Sequence, residues 1–292
     1  FCYVGSLSCM GLYWFNIDNI YLGLFFYFLA LISFWASLVF YNSYLPDIAH
    51  KNQQDFISAK GYALGYFGSV LLLIFDLAMV MFPENFGITG DNPELVAMRY
   101  SFISVGIWWI TFSQYTFYHL PDQNEKKKII KDVVWNGFKE LIEVWNELKK
   151  ILIIKKYLIA FFIYSSALQT VLLIAAYFGE QEVNWPKDEK TIGLIVSILL
   201  IQLIAMFGAI LTSKLSEKYG NIFTLIILNV IWAILCIGGY FITEPIEFYV
   251  AAAFVGLIMG GIQALSRSTF SKMIPKTDNT TSYFSFYDVS QK

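Results

Sequence analysis

Charged residues, histidines and cysteines are all scarce in this chain of 292 residues. Asp, Glu, Lys and Arg together make up 14% of the sequence, whereas a soluble globular domain carries about 25%. A chain with so few charges cannot cover a water-exposed surface of ordinary size. The two histidines, His50 and His119, are far apart, and Cys2, Cys9 and Cys236 are irregularly spaced in apolar runs. This pattern argues against a histidine metal centre, a disulfide framework and a cysteine metal site.

Motifs of ATP-using and hydrolytic proteins are also missing. The sequence has no G-x-x-x-x-G-K-[ST] loop for phosphates, no H-E-x-x-H zinc helix and no G-x-S-x-G nucleophile turn. We therefore expect no use of ATP and no cofactor. The few acids and histidines offer no converging catalytic set, so an enzyme is not expected. The net charge of −2, with lysines interleaved among acids, gives no indication of nucleic-acid binding.

Long apolar runs dominate the sequence that remains. Hydrophobic residues make up 57% of the chain, and about 20 apolar residues in a helix cross the hydrocarbon core of a bilayer. The runs therefore predict an all-α polytopic protein embedded in the lipid bilayer. Its candidate spans are 1–15, 20–42, 61–82, 98–118, 157–178, 191–212, 222–243 and 247–265, with a further one beginning near Tyr283.

The positive charges are strongly asymmetric when these runs are taken as spans that alternate in direction. Sixteen Lys and Arg residues fall in one set of loops, and only Arg99, Lys187 and Lys190 fall in the opposite set. Loops rich in Lys and Arg stay in the cytoplasm during membrane insertion. The side that carries the long loop 119–156 is therefore predicted to be cytoplasmic.

Loop 119–156 also suggests how the chain is divided. Four candidate spans precede it, and the chain reads as an internal fragment, so two further helices upstream would place this loop between two six-helix bundles. We expect 1–118 to be helices 3–6 of the first bundle and 157–292 to be helices 7–10 and the start of helix 11. Apolar residues at spacings of three and four within the loop predict an amphipathic linker helix on the cytoplasmic interface, with docking of a partner protein as the alternative. They are Ile130, Val134, Phe138, Leu141, Trp145, Leu148 and Leu152.

Four stretches at helix ends carry a family resemblance. They are FYNSYLPDIA at 40–49, SAKGYALGY at 58–66, GGIQALSRS at 260–268 and MIP at 273–275. Together they resemble the vacuolar-effluxer branch of the major facilitator superfamily, which comprises fungal autophagy-related amino-acid effluxers and bacterial relatives. The resemblance implies twelve helices in two bundles and, through the bacterial relatives, a bacterial inner membrane. It assigns helix packing or gating to Tyr41, Asn42, Pro46, Gly61, Tyr62, Gly65, Gly260 and Gly261.

A degenerate copy of the superfamily's acidic-basic-x-Gly signature lies between two spans, at Glu217-Lys218-Tyr219-Gly220. Gly there permits a tight turn. The chain departs from the signature, with Ser213 where its leading Gly would stand and Asn221 where a basic residue is usual. The signature implies a cytoplasmic gate, and the position of Arg267 at the cytoplasmic end of its span predicts that it pairs with Glu217 or Asp47 to close that gate. The alternative is that Arg267 only sets topology. The gate candidates are Asp47, Glu217, Lys218, Gly220 and Arg267.

Three polar residues within the spans are candidates for the pathway of a solute or a proton. Asp76 lies deep within a span, where a charge costs about 2.5–3.5 kcal/mol on insertion scales, so it must face a cavity, find a partner or stay protonated. Gln169 and Gln263 can contact a solute amide or carboxylate. Membrane helices also use such groups to bind one another, and that alternative stays open for all three.

The combined pattern predicts secondary active transport of a small polar solute by alternating access. The resemblance suggests amino-acid efflux, with coupling to protons as one option. The alternative from another class is a membrane sensor or scaffold that keeps the fold without transporting anything.

Overall fold

The computed structural model describes residues 1–120, 133–186, 189–275, 277 and 279–291. Over these ranges the chain is helical and has no β-strand. Short 3-10 turns cover Leu12–Trp14, Ile17–Asn19 and Pro83–Phe86. The helices are α1 Cys2–Gly11, α2 Ile20–Ser43, α3 Leu45–Ile48, α4 Gln54–Met81, α5 Pro93–His119, α6 Val133–Lys150, α7 Leu152–Gln181, α8 Lys190–Tyr219, α9 Asn221–Gly239, α10 Pro245–Met273 and α11 Thr280–Gln291.

Seven of the described helices are long and apolar enough to cross a membrane, namely α2, α4, α5, α7, α8, α9 and α10. They correspond one to one with the seven full-length spans predicted from the sequence, and the all-α polytopic prediction is confirmed. The run predicted at 1–15 is α-helical only over Cys2–Gly11, and α11 has 12 residues. Both helices are shorter than a bilayer crossing requires.

Several spanning helices extend beyond their predicted ends on the predicted cytoplasmic side. Helix α4 begins at Gln54 rather than 61, and α10 continues to Met273 rather than 265. Helix α8 likewise runs to Tyr219. The added turns are polar in sequence, and many of their side chains are nevertheless buried. Hydropathy alone ends a span where polar residues begin, although a helix continues wherever its polar side chains find partners.

Local sequence signals set the helix ends. Pro245 occupies the first turn of α10, where its missing N–H would have no partner in any case. Glu247 accepts hydrogen bonds from the backbone N–H of Thr243 (3.0 Å) and Glu244 (3.1 Å), which completes a capping box. Gly220 separates α8 from α9 at φ +84°, and this left-handed backbone is the tight turn expected there.

The described residues form two compact units. Unit 1 contains 1–40 and 71–137, and unit 2 contains 41–70 and 138–292. Within unit 1, α1 packs closely on α5, since a Cβ on Gly106 would lie 2.7 Å from the carbonyl oxygen of Ser6. The units follow spatial contacts and cut through α2, α4 and α6. The three-part division at 119–156 therefore stays a prediction.

In unit 2, α8 and α10 pack backbone to backbone. A Cβ on Gly256 would lie 2.4 Å from the carbonyl oxygen of Ile201, and one on Gly260 would lie 2.1 Å from that of Ala205. Small residues allow helices to approach this closely in a membrane, where no hydrophobic force separates helix from lipid. A buried apolar cluster lies beside this contact and contains Leu168, Ala205, Leu228, Trp232, Ile258, Met259 and Ile262.

The linker helix is present over its described part. Helix α6 covers Val133–Lys150, and Ile130 lies outside the described residues. Tyr283 of α11 donates to a Glu147 carboxylate oxygen at 2.7 Å, and Trp145 stacks on Phe286 with ring centroids 5.5 Å apart. One face of α6 therefore packs against α11. That α6 lies along the cytoplasmic membrane interface stays a prediction.

Candidate functional site

Arg267 is buried, whereas the other charged gate candidates, Asp47, Glu217 and Lys218, are exposed. It lies near the end of α10 and is 3% exposed. Its Nε donates to Ser58 Oγ at 2.9 Å, and its Nη2 donates to the Ser58 carbonyl oxygen at 3.0 Å. Its Nη1 donates to Asn42 Oδ1 at 3.3 Å. The guanidinium therefore holds the end of α2 and the first part of α4 to α10.

Two tyrosine rings enclose the same guanidinium. The Arg267 Cζ lies 5.0 Å from the ring centroid of Tyr41 and 4.7 Å from that of Tyr62. A cation over an aromatic face is worth about 2 kcal/mol when both groups are removed from water. Gly61 makes room for the arrangement, since a Cβ there would lie 2.7 Å from the Tyr41 hydroxyl and 3.2 Å from Arg267 Nη2. These contacts give Tyr41, Gly61 and Tyr62 a common structural role around one cation.

A buried carboxylate is linked to this cation through Asn42. The Asn42 side chain accepts from Arg267 through its oxygen and donates through Nδ2 to Asp288 Oδ1 at 2.9 Å. Asn42 and Asp288 are 4% and 3% exposed. An uncompensated charge in such surroundings is strongly unfavourable. The Asn42 side chain therefore bridges Arg267 of α10 and Asp288 of α11 through one accepted and one donated hydrogen bond.

Ser58 binds α4 to α10 in its own right. Its hydroxyl donates to the carbonyl oxygen of Ala264 at 2.7 Å while accepting from Arg267. The residue is fully buried. Ser58 begins the resembling stretch 58–66, but the sequence analysis did not single it out as a site residue, because a small hydroxyl residue before an apolar run gives no indication of its partner. We call the set Asn42, Ser58, Arg267, Asp288 and the rings of Tyr41 and Tyr62 the arginine cluster.

A second cluster centres on Asp55, which is 5% exposed in the first turn of α4. Its Oδ2 accepts from Lys272 Nζ at 2.5 Å and its Oδ1 from Asn221 Nδ2 at 2.7 Å. Ser216 Oγ of α8 lies 3.4 Å from Oδ2 and 2.8 Å from the Ser213 carbonyl oxygen, and Lys272 Nζ also donates to Asn221 Oδ1 at 3.3 Å. We call Asp55, Ser216, Asn221 and Lys272 the lysine cluster, which joins α4, α8, α9 and α10. Asp55 was missed because the turn before the span at 61–82 was taken for a loop.

The ion pair predicted between Arg267 and Glu217 or Asp47 does not form among the described residues of this structure. Within the described ranges, the ion pairs are Lys272–Asp55 and Lys190–Glu180. Asp47 and Glu217 are exposed, and neither forms an ion pair with another described residue. Pro46 lies beside Asp47 in the short helix α3.

The rest of the degenerate signature has a different arrangement from the one expected. Lys218 is exposed and lies over the ring of Tyr219, 5.1 Å from the centroid. Asn221, the residue that departs from the usual basic one, belongs to the lysine cluster. Lys272 of α10 supplies a positive charge at this point instead.

The predicted glycines differ in what surrounds them. A Cβ on Gly261 would lie 2.2 Å from Thr212 Oγ1, and Gly260 contacts the α8 backbone as described above. A Cβ on Gly65 would meet no atom within 4 Å. Close packing thus requires glycine at 260 and 261, whereas at 65 the described residues leave open space.

Uncharged polar groups continue along α4, α8 and α10 from the arginine cluster. Tyr66 donates its hydroxyl to Gln263 Oε1 at 2.5 Å. Ser69 donates to Gln202 Oε1. Gln263 was expected to be in the pathway, and Gln202 was not singled out because one amide in an apolar run carries no special pattern. Gln169 is half-buried on α7, and no hydrogen bond joins it to these four among the described residues.

Asp76 is half-buried in unit 1. Its Oδ1 lies 2.5 Å from Ser104 Oγ of α5, and the same hydroxyl lies 2.8 Å from the carbonyl oxygen of Ser101. A serine hydroxyl has one hydrogen and can donate only one of these bonds. The Ser104 hydroxyl therefore donates either to Asp76 or to the Ser101 carbonyl oxygen.

These helices and buried polar contacts define a multi-pass, all-α integral membrane protein. The chain belongs to the family described as "Vacuole effluxer Atg22 like", whose model matches residues 1–292. The resemblance inferred from the four helix-end stretches is thereby confirmed.

Curated relatives agree with the family match. An "Uncharacterized MFS-type transporter YxiO" of Bacillus subtilis is 28% identical over 272 residues, which cover 92% of this chain and 61% of that protein. "Autophagy-related protein 22" of Kluyveromyces lactis is 25% identical over 81% of this chain and 49% of its own length. The protein of the same name in Yarrowia lipolytica is 25% identical over 85% of this chain and 45% of its own. This chain thus spans about half of these relatives, and no solved structure matches it.

Proposed function

We propose that the full-length protein is a secondary active transporter that moves a small polar solute across a bacterial inner membrane by alternating access. The observation that carries the proposal is the arginine cluster. It joins α2 and α4, which precede the predicted linker, to α10 and α11, which follow it. Rocking of one half of a transporter over the other requires contacts between the halves that form and break.

The arginine and lysine clusters have the properties of a gate on the predicted cytoplasmic side. Both lie at helix ends on the side where positive charges concentrate, and both consist of directional polar bonds rather than apolar packing. When such a gate opens, water replaces the lost hydrogen bonds, so that the opened state is not left with bare buried charges. A purely apolar seam would expose hydrophobic surface instead.

The solute is proposed to be an amino acid in the direction of efflux. The family description names vacuole effluxers, and the polar groups along α4, α8 and α10 are uncharged donors and acceptors. Coupling to protons is proposed to use Asp76, since it is an acidic side chain within the apolar helix α4 and contacts the Ser104 hydroxyl of α5.

The test is uptake of labelled amino acids into liposomes that contain the full-length protein, with and without an imposed pH gradient. Gradient-dependent uptake that becomes gradient-independent in Asp76→Asn is the expected result, because an amide cannot carry the proton. Ser101→Ala is the matched control, since the Ser101 backbone carbonyl rather than its side chain binds Ser104.

The possible outcomes separate the parts of the proposal. Unchanged coupling in Asp76→Asn would remove Asp76 and leave the transporter. Absence of uptake by folded wild-type protein would favour a sensor or scaffold that keeps the fold.

A further inference from the structure

We infer that Tyr66, Ser69, Gln202 and Gln263 form a solute-binding ladder that selects solutes without net charge. This inference rests on the proposed function and deepens it, because it assigns residues and a specificity to the pathway. All four residues belong to unit 2. Two are on α4, and the others are on α8 and α10.

The register of α8 against α10 places Gln202 and Gln263 at two different heights along the helix axes. Helices α8 and α10 run in parallel, because Ile201 lies against Gly256 and Ala205 against Gly260. Gln202 is therefore level with the residue after Gly256. Gln263 lies six residues further along α10, or about 9 Å at the helical rise of about 1.5 Å per residue.

Helix α4 runs in the opposite direction and supplies one hydroxyl at each level. Ser69 meets Gln202 and Tyr66 meets Gln263. Arg267 follows Gln263 by one helical turn on the same face of α10. The ladder thus leads directly to the arginine cluster, which closes its end.

The side-chain NH2 groups of Gln202 and Gln263 remain able to donate hydrogen bonds to a ligand. The Tyr66 hydroxyl donates to the Gln263 oxygen, and the Ser69 hydroxyl, whose oxygen also lies 2.9 Å from the Tyr66 carbonyl oxygen, contacts the Gln202 oxygen. Each side-chain NH2 group offers two donors, and neither engages another group among the described residues. Gln202 and Gln263 are both half-buried, so these donors lie in a partly desolvated place. Carboxylate or carbonyl oxygens of a solute are suited to accept from them.

The neutrality of the ladder determines its selectivity. None of the four side chains is charged, and the nearest cation along α10, Arg267, already donates to Ser58 and Asn42 and is covered by two rings. A solute with net charge would lose hydration without gaining a counter-charge. A zwitterion or an uncharged polar molecule brings its own charge balance.

The experiment measures uptake of serine, lysine and aspartate by full-length protein in liposomes. Wild-type protein is expected to prefer serine by at least about tenfold, the factor that corresponds to about 1.4 kcal/mol. In Gln202→Glu the lysine-to-serine uptake ratio is expected to rise about tenfold, because the new carboxylate pairs with the cationic side chain. Gln263→Glu is a second route to the same result if the first variant does not fold.

Gln114→Leu provides the control, since Gln114 bonds to Tyr3 in unit 1. Gln202→Leu is expected to lower serine uptake about tenfold while this control does not. Serine uptake with lysine-to-serine ratios unchanged in both Glu variants would overturn the ladder and leave the transporter intact. Failure of the wild-type protein to move any solute would overturn the proposed function and the ladder with it.

Discussion

The arginine cluster and the lysine cluster both join α4 to α10, but they stabilise their charges by different means. Lys272 meets the carboxylate of Asp55 directly and keeps 26% of its side chain exposed. Arg267 is 3% exposed and is held by a hydroxyl, two side-chain or backbone oxygens and two rings, with Asp288 reached through Asn42. A delocalised guanidinium can be satisfied by dipoles and π-faces, whereas a compact ammonium calls for a counter-ion or water. The deeper position therefore takes arginine and the wetter one takes lysine.

The largest effect is expected from Arg267→Gln. This change removes the donors that satisfy Ser58 and Asn42 and leaves the buried Asp288 without its linked cation. Breaking a buried charged network typically costs about 3–5 kcal/mol. The midpoint of thermal unfolding of the detergent-solubilised protein should fall sharply. Lys60→Gln, an exposed change on α4, is the control, and equal stability of the two variants would contradict the proposed role of the cluster.

A smaller and salt-dependent effect is expected at Asp55 and Lys272. A double-mutant cycle with Asp55→Asn and Lys272→Met should give a coupling free energy of about 1–2 kcal/mol at low salt, since the pair is partly exposed. The coupling should shrink near 1 M salt, where the Debye length is about 3 Å. A salt-independent coupling would mean that the Lys272–Asp55 pair is as shielded from solvent as Arg267, which contradicts the contrast between the two clusters.

Two substitutions of Tyr62 distinguish the contribution of its aromatic ring from that of its hydroxyl. Tyr62→Leu removes an aromatic face and should cost about 0.5–2 kcal/mol, whereas Tyr62→Phe keeps the face and should retain most of the stability. Unfolding midpoints of both variants give the comparison. If Phe were as damaging as Leu, the hydroxyl rather than the ring of Tyr62 would be the important group.

The smallest effect is expected for Glu217→Gln. Glu217 is exposed, and Arg267 is engaged elsewhere, so neither unfolding nor solute uptake should change measurably. Asp55→Asn in the same assays is the positive comparison. A loss of uptake in Glu217→Gln alone would restore the ion pair that the sequence suggested.

The sequence predicted the helices well but predicted the hydrogen-bonding and ion-pair partners of individual side chains poorly, and the reason is physical. Apolar runs must cross the bilayer as helices, because every backbone group there needs an internal hydrogen bond. Partner choice depends on the register and rotation of packed helices, which local sequence does not encode. Asp55 and Ser58 looked like loop residues before a span, and Gln202 looked like an isolated amide, although each bonds to a helix distant in the chain.

The amino-acid sequence by itself determined the membrane class, the seven long helices, the tight turn at Gly220 and the family, because hydropathy, glycine backbone freedom and helix-end motifs are local properties. Only the tertiary structure decided which groups satisfy Arg267, that Asp55 rather than Glu217 binds a cation, and that two amides align with α4. Those outcomes follow from the close parallel packing of α8 and α10 at Gly256 and Gly260, which sets the levels at which distant side chains meet.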